Sequence, residues 1–169
     1  MKGIIIYKGK YGATQQYAEW LGKELELPVV SAGDETPAHL LNADFVILGS
    51  SIYIGKLQLK KWISENQQFL STRKVYFFLV TGTPLEEKDK LTGYIKNNIP
   101  EDVRKVCKCF FFPGKLEFNK LSWGDKLLLK IGAWLSKGTK NEIPLADYNR
   151  LDRQHIDSLV KAVNYLKVG

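Results

Sequence analysis

The sequence predicts an α/β protein in which a parallel β-sheet is covered by helices on both sides. Two observations carry that expectation. Five short runs rich in Val, Ile and aromatic residues recur along the chain, and the central ones are apolar at every position, as strands buried on both faces are. Between them lie segments whose apolar residues recur at helical spacing. Strict alternation of the two kinds of segment is the pattern of strand–helix–strand units.

The strand runs are Gly3 to Tyr7, Val29 to Ser31, Phe45 to Gly49, Val75 to Thr81 and Val106 to Phe112. A helix is expected to begin near Thr14, with Tyr17, Ala18, Leu21 and Leu25 on one face. Leu59, Trp62, Ile63, Phe69 and Leu70 share a second helical face, and Ile156, Leu159, Val160, Val163 and Leu166 share a third at the end of the chain. Glu86 to Asn98 is a weaker helical segment, interrupted by Gly93. There is no internal repeat, low-complexity tract or linker, and 169 residues with 44% hydrophobic content suit one domain spanning residues 1–169.

Composition narrows the function classes. Apolar runs are only a few residues long, against the roughly 20 that cross a bilayer, and Lys8 interrupts the first run before it could serve as a signal core, so a cytoplasmic location is expected. Cys107 and Cys109 fall on one predicted strand with their side chains expected on opposite faces, and so are read as buried free thiols. His39 and His155 stand apart from each other and from the cysteines, which leaves no metal-ligand spacing. The net charge is +7, and from Lys105 to Lys140 eight lysines meet only Glu117 and Asp125, so +6 of it lies in that stretch.

Sheets of this kind bind ligands beyond the carboxyl ends of their strands. Three loops fall there. The first, Gly9-Lys10-Tyr11-Gly12-Ala13-Thr14, leads into a helix whose unpaired N–H groups and positive dipole end suit a phosphate, and Lys8 and Lys10 are expected to strengthen that field. The second, Ser51-Ile52-Tyr53-Ile54-Gly55, offers an aromatic and an aliphatic face for a flat ring; the third is Thr81-Gly82-Thr83-Pro84. The hydroxyls of Ser51, Thr81 and Thr83 are expected at the ring's polar edge. A phosphate grip beside a ring slot describes a flavin-type mononucleotide.

On these residues the chain resembles the flavodoxins. Strand, then Gly9 to Thr14, then helix is similar to that family's phosphate loop, Tyr53 to the aromatic of its second flavin loop, and Thr81 to Pro84 to its third. The resemblance implies a three-layer, doubly wound, five-stranded parallel sheet in the order 2-1-3-4-5, with FMN as cofactor. Position 9 is glycine where the family supplies a hydroxyl, so the backbone or the lysines must compensate.

An insertion at about residues 113–140 follows the fifth strand. On a helical wheel Trp123, Trp134, Leu127, Ile131, Leu135 and Leu128 fall on one arc, with Lys126, Lys130 and Lys137 beside the tryptophans. Three readings stay open: the helix packs on its own domain, lies in a membrane interface, or docks a protein or nucleic acid. The insertion, the basic charge and the string Gly49-Ser50-Ser51-Ile52-Tyr53 resemble the menaquinone-dependent protoporphyrinogen IX dehydrogenases. That resemblance implies a tetrapyrrole substrate and a membrane quinone, with a peripheral place on the inner face of the cell membrane. Lys115, Lys120 and Lys126 are then candidates for the substrate's carboxylates, and no protein acid or base is named as catalytic. A soluble flavodoxin-like carrier or quinone reductase, and a binding module without flavin, are the alternatives. Nucleic-acid binding ranks last, because charge and aromatics occur here without a recognised module.

Overall fold

The computed structural model describes residues 1–136 and 146–168. In chain order the elements are β1 (Gly3–Lys8), α1 (Ala13–Leu25), β2 (Val29–Ser31), α2 (Pro37–Leu41), β3 (Phe45–Tyr53), β4 (Lys56–Leu57), α3 (Lys60–Glu65), α4 (Gln67–Ser71), β5 (Lys74–Thr81), α5 (Lys88–Asn98), α6 (Glu101–Val106), β6 (Cys107–Pro113), β7 (Lys115–Leu116), α7 (Trp123–Ser136), β8 (Tyr148–Asn149) and α8 (Asp157–Val168). Short 3-10 turns precede α7 and α8. The main sheet runs β2-β1-β3-β5-β6, parallel throughout, and β4 adds an antiparallel hairpin to β3. Leaving out that small hairpin strand, this is the expected order 2-1-3-4-5.

The apolar runs are explained by two-sided burial. Ile4, Ile6, Val46, Leu48, Val75, Phe77 and Leu79 face a layer built by Leu59, Trp62, Ile63, Leu70 and Val103. Their neighbours Ile5, Phe45, Ile47, Phe78 and Val80 face α1 and α8. Each fully buried aliphatic side chain contributes about 1.5–3 kcal/mol, so both faces of the sheet drive folding and neither tolerates a register slip.

Three expectations are corrected. The face of Leu59 to Leu70 is carried by two helices, α3 and α4, which break at Asn66; the spacing stays in phase across the break and hides it. The carboxyl end of β3 extends past Gly49 to Tyr53. Cys107 and Cys109 share a face, with their sulfurs 3.8 Å apart, because positions two apart on a strand point the same way. Both thiols are free.

Candidate functional site

The carboxyl ends of β1, β3 and β5 open onto one cavity of about 500 Å³, within the range of small-molecule sites. From the first loop Lys10, Tyr11, Ala13 and Thr14 line it; from the second Ser51, Ile52, Tyr53 and Ile54; from the third Thr81 and Gly82. Gly9, Gly12, Gly55, Thr83 and Pro84 lie outside its lining but shape the loops that form it. Gly12 caps α1 in the left-handed region at φ +82°, with no side chain taking the helix's first N–H groups. A Cβ at Gly9 would stand 2.7 Å from the Cβ and Oγ1 of Thr14, so the missing hydroxyl at position 9 is a steric requirement of Thr14.

Two hydroxyls are decisive for what this cavity could hold. Thr14 Oγ1, at the mouth of α1, and Ser51 Oγ, at the end of β3, are buried without a hydrogen-bond partner among the described residues. Leaving such groups unpaired costs about 1–3 kcal/mol each, and both residues line the cavity. An anionic group at the helix mouth and a polar ring edge at the second loop would satisfy them. The other expected hydroxyls are partly committed: Thr81 Oγ1 accepts from the Thr83 amide at 3.0 Å, and Thr83 Oγ1 pairs with the Tyr94 hydroxyl at 3.0 Å.

The insertion closes the site. Leu121 and, from α7, Leu128, Leu129, Ile131 and Gly132 form an apolar wall of the cavity, and Leu116 from β7 and Tyr148 from β8 complete it. The backbone ties this wall to the sheet, with the Gly114 amide donating to the Thr81 carbonyl at 2.9 Å and the Tyr17 hydroxyl to the Pro113 carbonyl at 2.9 Å. At its centre is Asp125, a residue the sequence reading did not place in the site. Its carboxylate accepts from Lys10 Nζ, with the closer oxygen at 2.6 Å, and from the hydroxyls of Tyr11 and Tyr53. Burial alone would raise its pKa, but hydrogen bonds from Lys10, Tyr11, Tyr53 and Ser122 hold it well below the usual carboxylate range. The Tyr53 phenol is pushed up by burial, and further by its bond to that carboxylate. Lys10 therefore does not strengthen the field at the helix mouth as expected; its charge is taken by Asp125.

The remaining expected contact residues lie on the insertion. Lys115 lines the main cavity, and with Tyr11, Glu117 and Lys120 also a smaller one of about 140 Å³ beside it. Lys126 and Lys130 sit over the Phe118 ring at 5.8 and 6.0 Å. Trp123 and Trp134 are 81% and 74% exposed, and Leu127, Leu128 and Ile131 are close to half exposed, so the rest of the described protein leaves these five residues largely uncovered. Lys137 lies outside the described residues. No helix among the described residues is long and apolar enough to cross a membrane.

The family model described as Flavodoxin domain matches residues 4–142. The chain belongs to the flavodoxin family. Family membership makes the three loops around the cavity the place where a redox cofactor is to be sought. Among relatives, the protoporphyrinogen IX dehydrogenase (quinone) of Escherichia coli strain K12 is 22% identical over 165 residues, covering 89% of this chain and 91% of that one. Solved structures that align include a two-electron-reduced flavodoxin of Megasphaera elsdenii (15% identity, 66% of this chain and 84% of that one, TM-score 0.49). A WrbA-like flavodoxin protein of Agrobacterium tumefaciens also aligns (18% identity, 74% and 87%, TM-score 0.45). Together the family and the dehydrogenase relative support a redox role.

Proposed function

We propose that this flavodoxin-family protein is an FMN-dependent oxidoreductase that takes electrons from protoporphyrinogen IX and passes them to menaquinone. The observation that carries the cofactor is the pair of orphaned hydroxyls, Thr14 Oγ1 and Ser51 Oγ, on two residues that line one cavity at the ends of β1 and β3. Thr14 with the open amides of α1 would hold the phosphate, and Ser51, Tyr53 and Ile54 the ring. Bound FMN supplies the two-electron chemistry, and the protein's own residues bind it, orient it and exclude water through the Leu121, Leu128 and Leu129 wall.

The choice of substrate and acceptor rests on the insertion and on the dehydrogenase relative. Lys120, which lines the smaller neighbouring cavity, and Lys126 on α7 match a substrate bearing carboxylates. The uncovered arc of Trp123, Leu127 and Trp134, flanked by lysines, has the composition of a helix lying in an anionic lipid interface, which would bring the cavity to a lipid-dissolved quinone on the inner face of the membrane. The test is an anaerobic assay of FMN-supplemented protein with protoporphyrinogen, comparing a menaquinone analogue with water-soluble acceptors. Turnover is expected with the quinone. No oxidation of protoporphyrinogen with any acceptor, by a protein whose FMN, once reduced with dithionite, passes its electrons to the soluble acceptors, would instead make it a flavodoxin-like carrier. For the lipid contact, the paired change Lys126→Glu and Lys130→Glu is expected to release the protein from anionic vesicles, and unchanged sedimentation with them would refute it.

A further inference from the structure

With Lys10 committed to Asp125, the helix mouth needs another source of positive charge if it is to hold a dianion. The structure offers one that the sequence could not place. Lys115 Nζ lies 4.0 Å from where a Cβ on Gly12 would stand, at the cap of α1. Its side chain is only 25% exposed, and it shares the cavity with Thr14, the 1%-exposed threonine whose hydroxyl has no partner. Its backbone is fixed on three sides: β7 pairs Lys115 with Asn149, the Gly114 amide binds the Thr81 carbonyl, and the Gly114 carbonyl takes the Arg150 amide. An anchored cation gives up less freedom on meeting an anion than a mobile one does.

The neighbouring charges leave it available. Glu117 touches Lys115 at 3.3 Å but Lys120 more closely, at 2.6 Å, so two lysines share one carboxylate and the trio carries a net positive charge. Lys8, the other lysine of the first loop, is exposed and does not line the cavity. Gly9 removes a neutral hydrogen-bond donor from the loop, and Lys115 restores from across the cavity what that loop lacks.

We infer that Lys115 is the counter-charge for the phosphate of the bound mononucleotide, so that the site selects a phosphorylated flavin over its dephosphorylated form by charge. This rests on the FMN reading above and adds a residue from the insertion to the cofactor site. The insertion then couples cofactor binding to closure of the cavity, because the same β7 strand positions the cation and begins the segment that carries α7.

The experiment is a fluorescence titration of the full-length protein with FMN and with riboflavin, at low and raised salt, for the wild type, Lys115→Met, Lys115→Arg and Lys120→Met. Lys115→Met is expected to weaken FMN about tenfold while leaving riboflavin affinity within about twofold. Lys115→Arg should recover most of the loss, Lys120→Met, which leaves Glu117 to Lys115 alone, should weaken FMN by less than Lys115→Met and leave riboflavin within about twofold, and salt should weaken FMN more in the wild type than in Lys115→Met. Equal loss of both flavins would make Lys115 a packing residue and overturn the inference. So would unchanged FMN affinity in Lys115→Met, with the FMN reading intact. A wild type that takes up neither flavin would overturn the reading and the inference together.

Discussion

At the scale of single residues, two positions concentrate the chemistry. Asp125 is an enclosed anion whose donors Lys10, Tyr11 and Tyr53 come from two different loops, so it works as a latch between α7 and the rim of the cavity. Asp125→Asn is expected to raise hydrogen exchange of the α7 amides about tenfold while leaving those of β1 unchanged, since it frees a local segment and not the core. The same latch gives a pH dependence. A carboxyl whose folded pKa lies below its ordinary value of 3.8 contributes stability that is complete above that value and is lost as pH falls through the folded one, so α7 should loosen only below about pH 4. Gly9 makes the opposite point. Installing the family's hydroxyl with Gly9→Ser drives a side chain into Thr14, and FMN affinity is expected to fall by about fivefold or more in a fluorescence titration instead of improving.

At the scale of elements, the β3–β4 hairpin carries a visible strain. Its two-residue turn is Ile54-Gly55, with φ of +47° and +70°, the combination a type I′ turn demands. Glycine accepts this; a β-branched side chain pays about 1–2 kcal/mol. Ile54 is 63% exposed and lines the cavity, so the strain places there an aliphatic face that no core packing requires. Ile54→Asn is expected to raise the melting temperature of the apoprotein by about 2–4 °C and to weaken FMN binding, read by thermal denaturation and titration respectively. A variant that melts lower would show that Ile54 has a structural partner after all. The two tryptophans of α7 stand in a similar position: at 81% and 74% exposure they contribute nothing to the core.

At the scale of the whole molecule, the cavity is closed by segments far apart in the chain, and cofactor binding should therefore tie them together. FMN at about 100 times its dissociation constant stabilises the native state by about 2.7 kcal/mol, which for a chain of 169 residues corresponds to a rise of about 5–10 °C in melting temperature. Calorimetry with and without FMN checks this, and an unshifted transition at saturating FMN would remove the cofactor from the account. The two buried faces and the rim of three loops were legible beforehand from local spacing, since the apolar run Ile4-Ile5-Ile6 needs only its own neighbours to be read as a strand buried on both sides, whereas the strand order came from the flavodoxin resemblance and not from spacing. The break at Asn66 was not, since the helical phase continues through it. The shared face of Cys107 and Cys109 was within reach of the period of a strand and was misread.

By itself, then, the order of residues determined an alternating parallel sheet, the three loops at its carboxyl rim and an amphipathic basic helix inserted after the fifth strand of the main sheet. It could not determine that Asp125 would neutralise Lys10, 115 positions away, or that Tyr53 would join them from 72 positions away. Nor could it bring Lys115 to Gly12, a contact fixed by a two-residue pairing between β7 and β8. Periodicity reports on neighbours one turn or one pleat apart, whereas the charge balance of a cavity depends on which distant groups the completed sheet brings within hydrogen-bond reach.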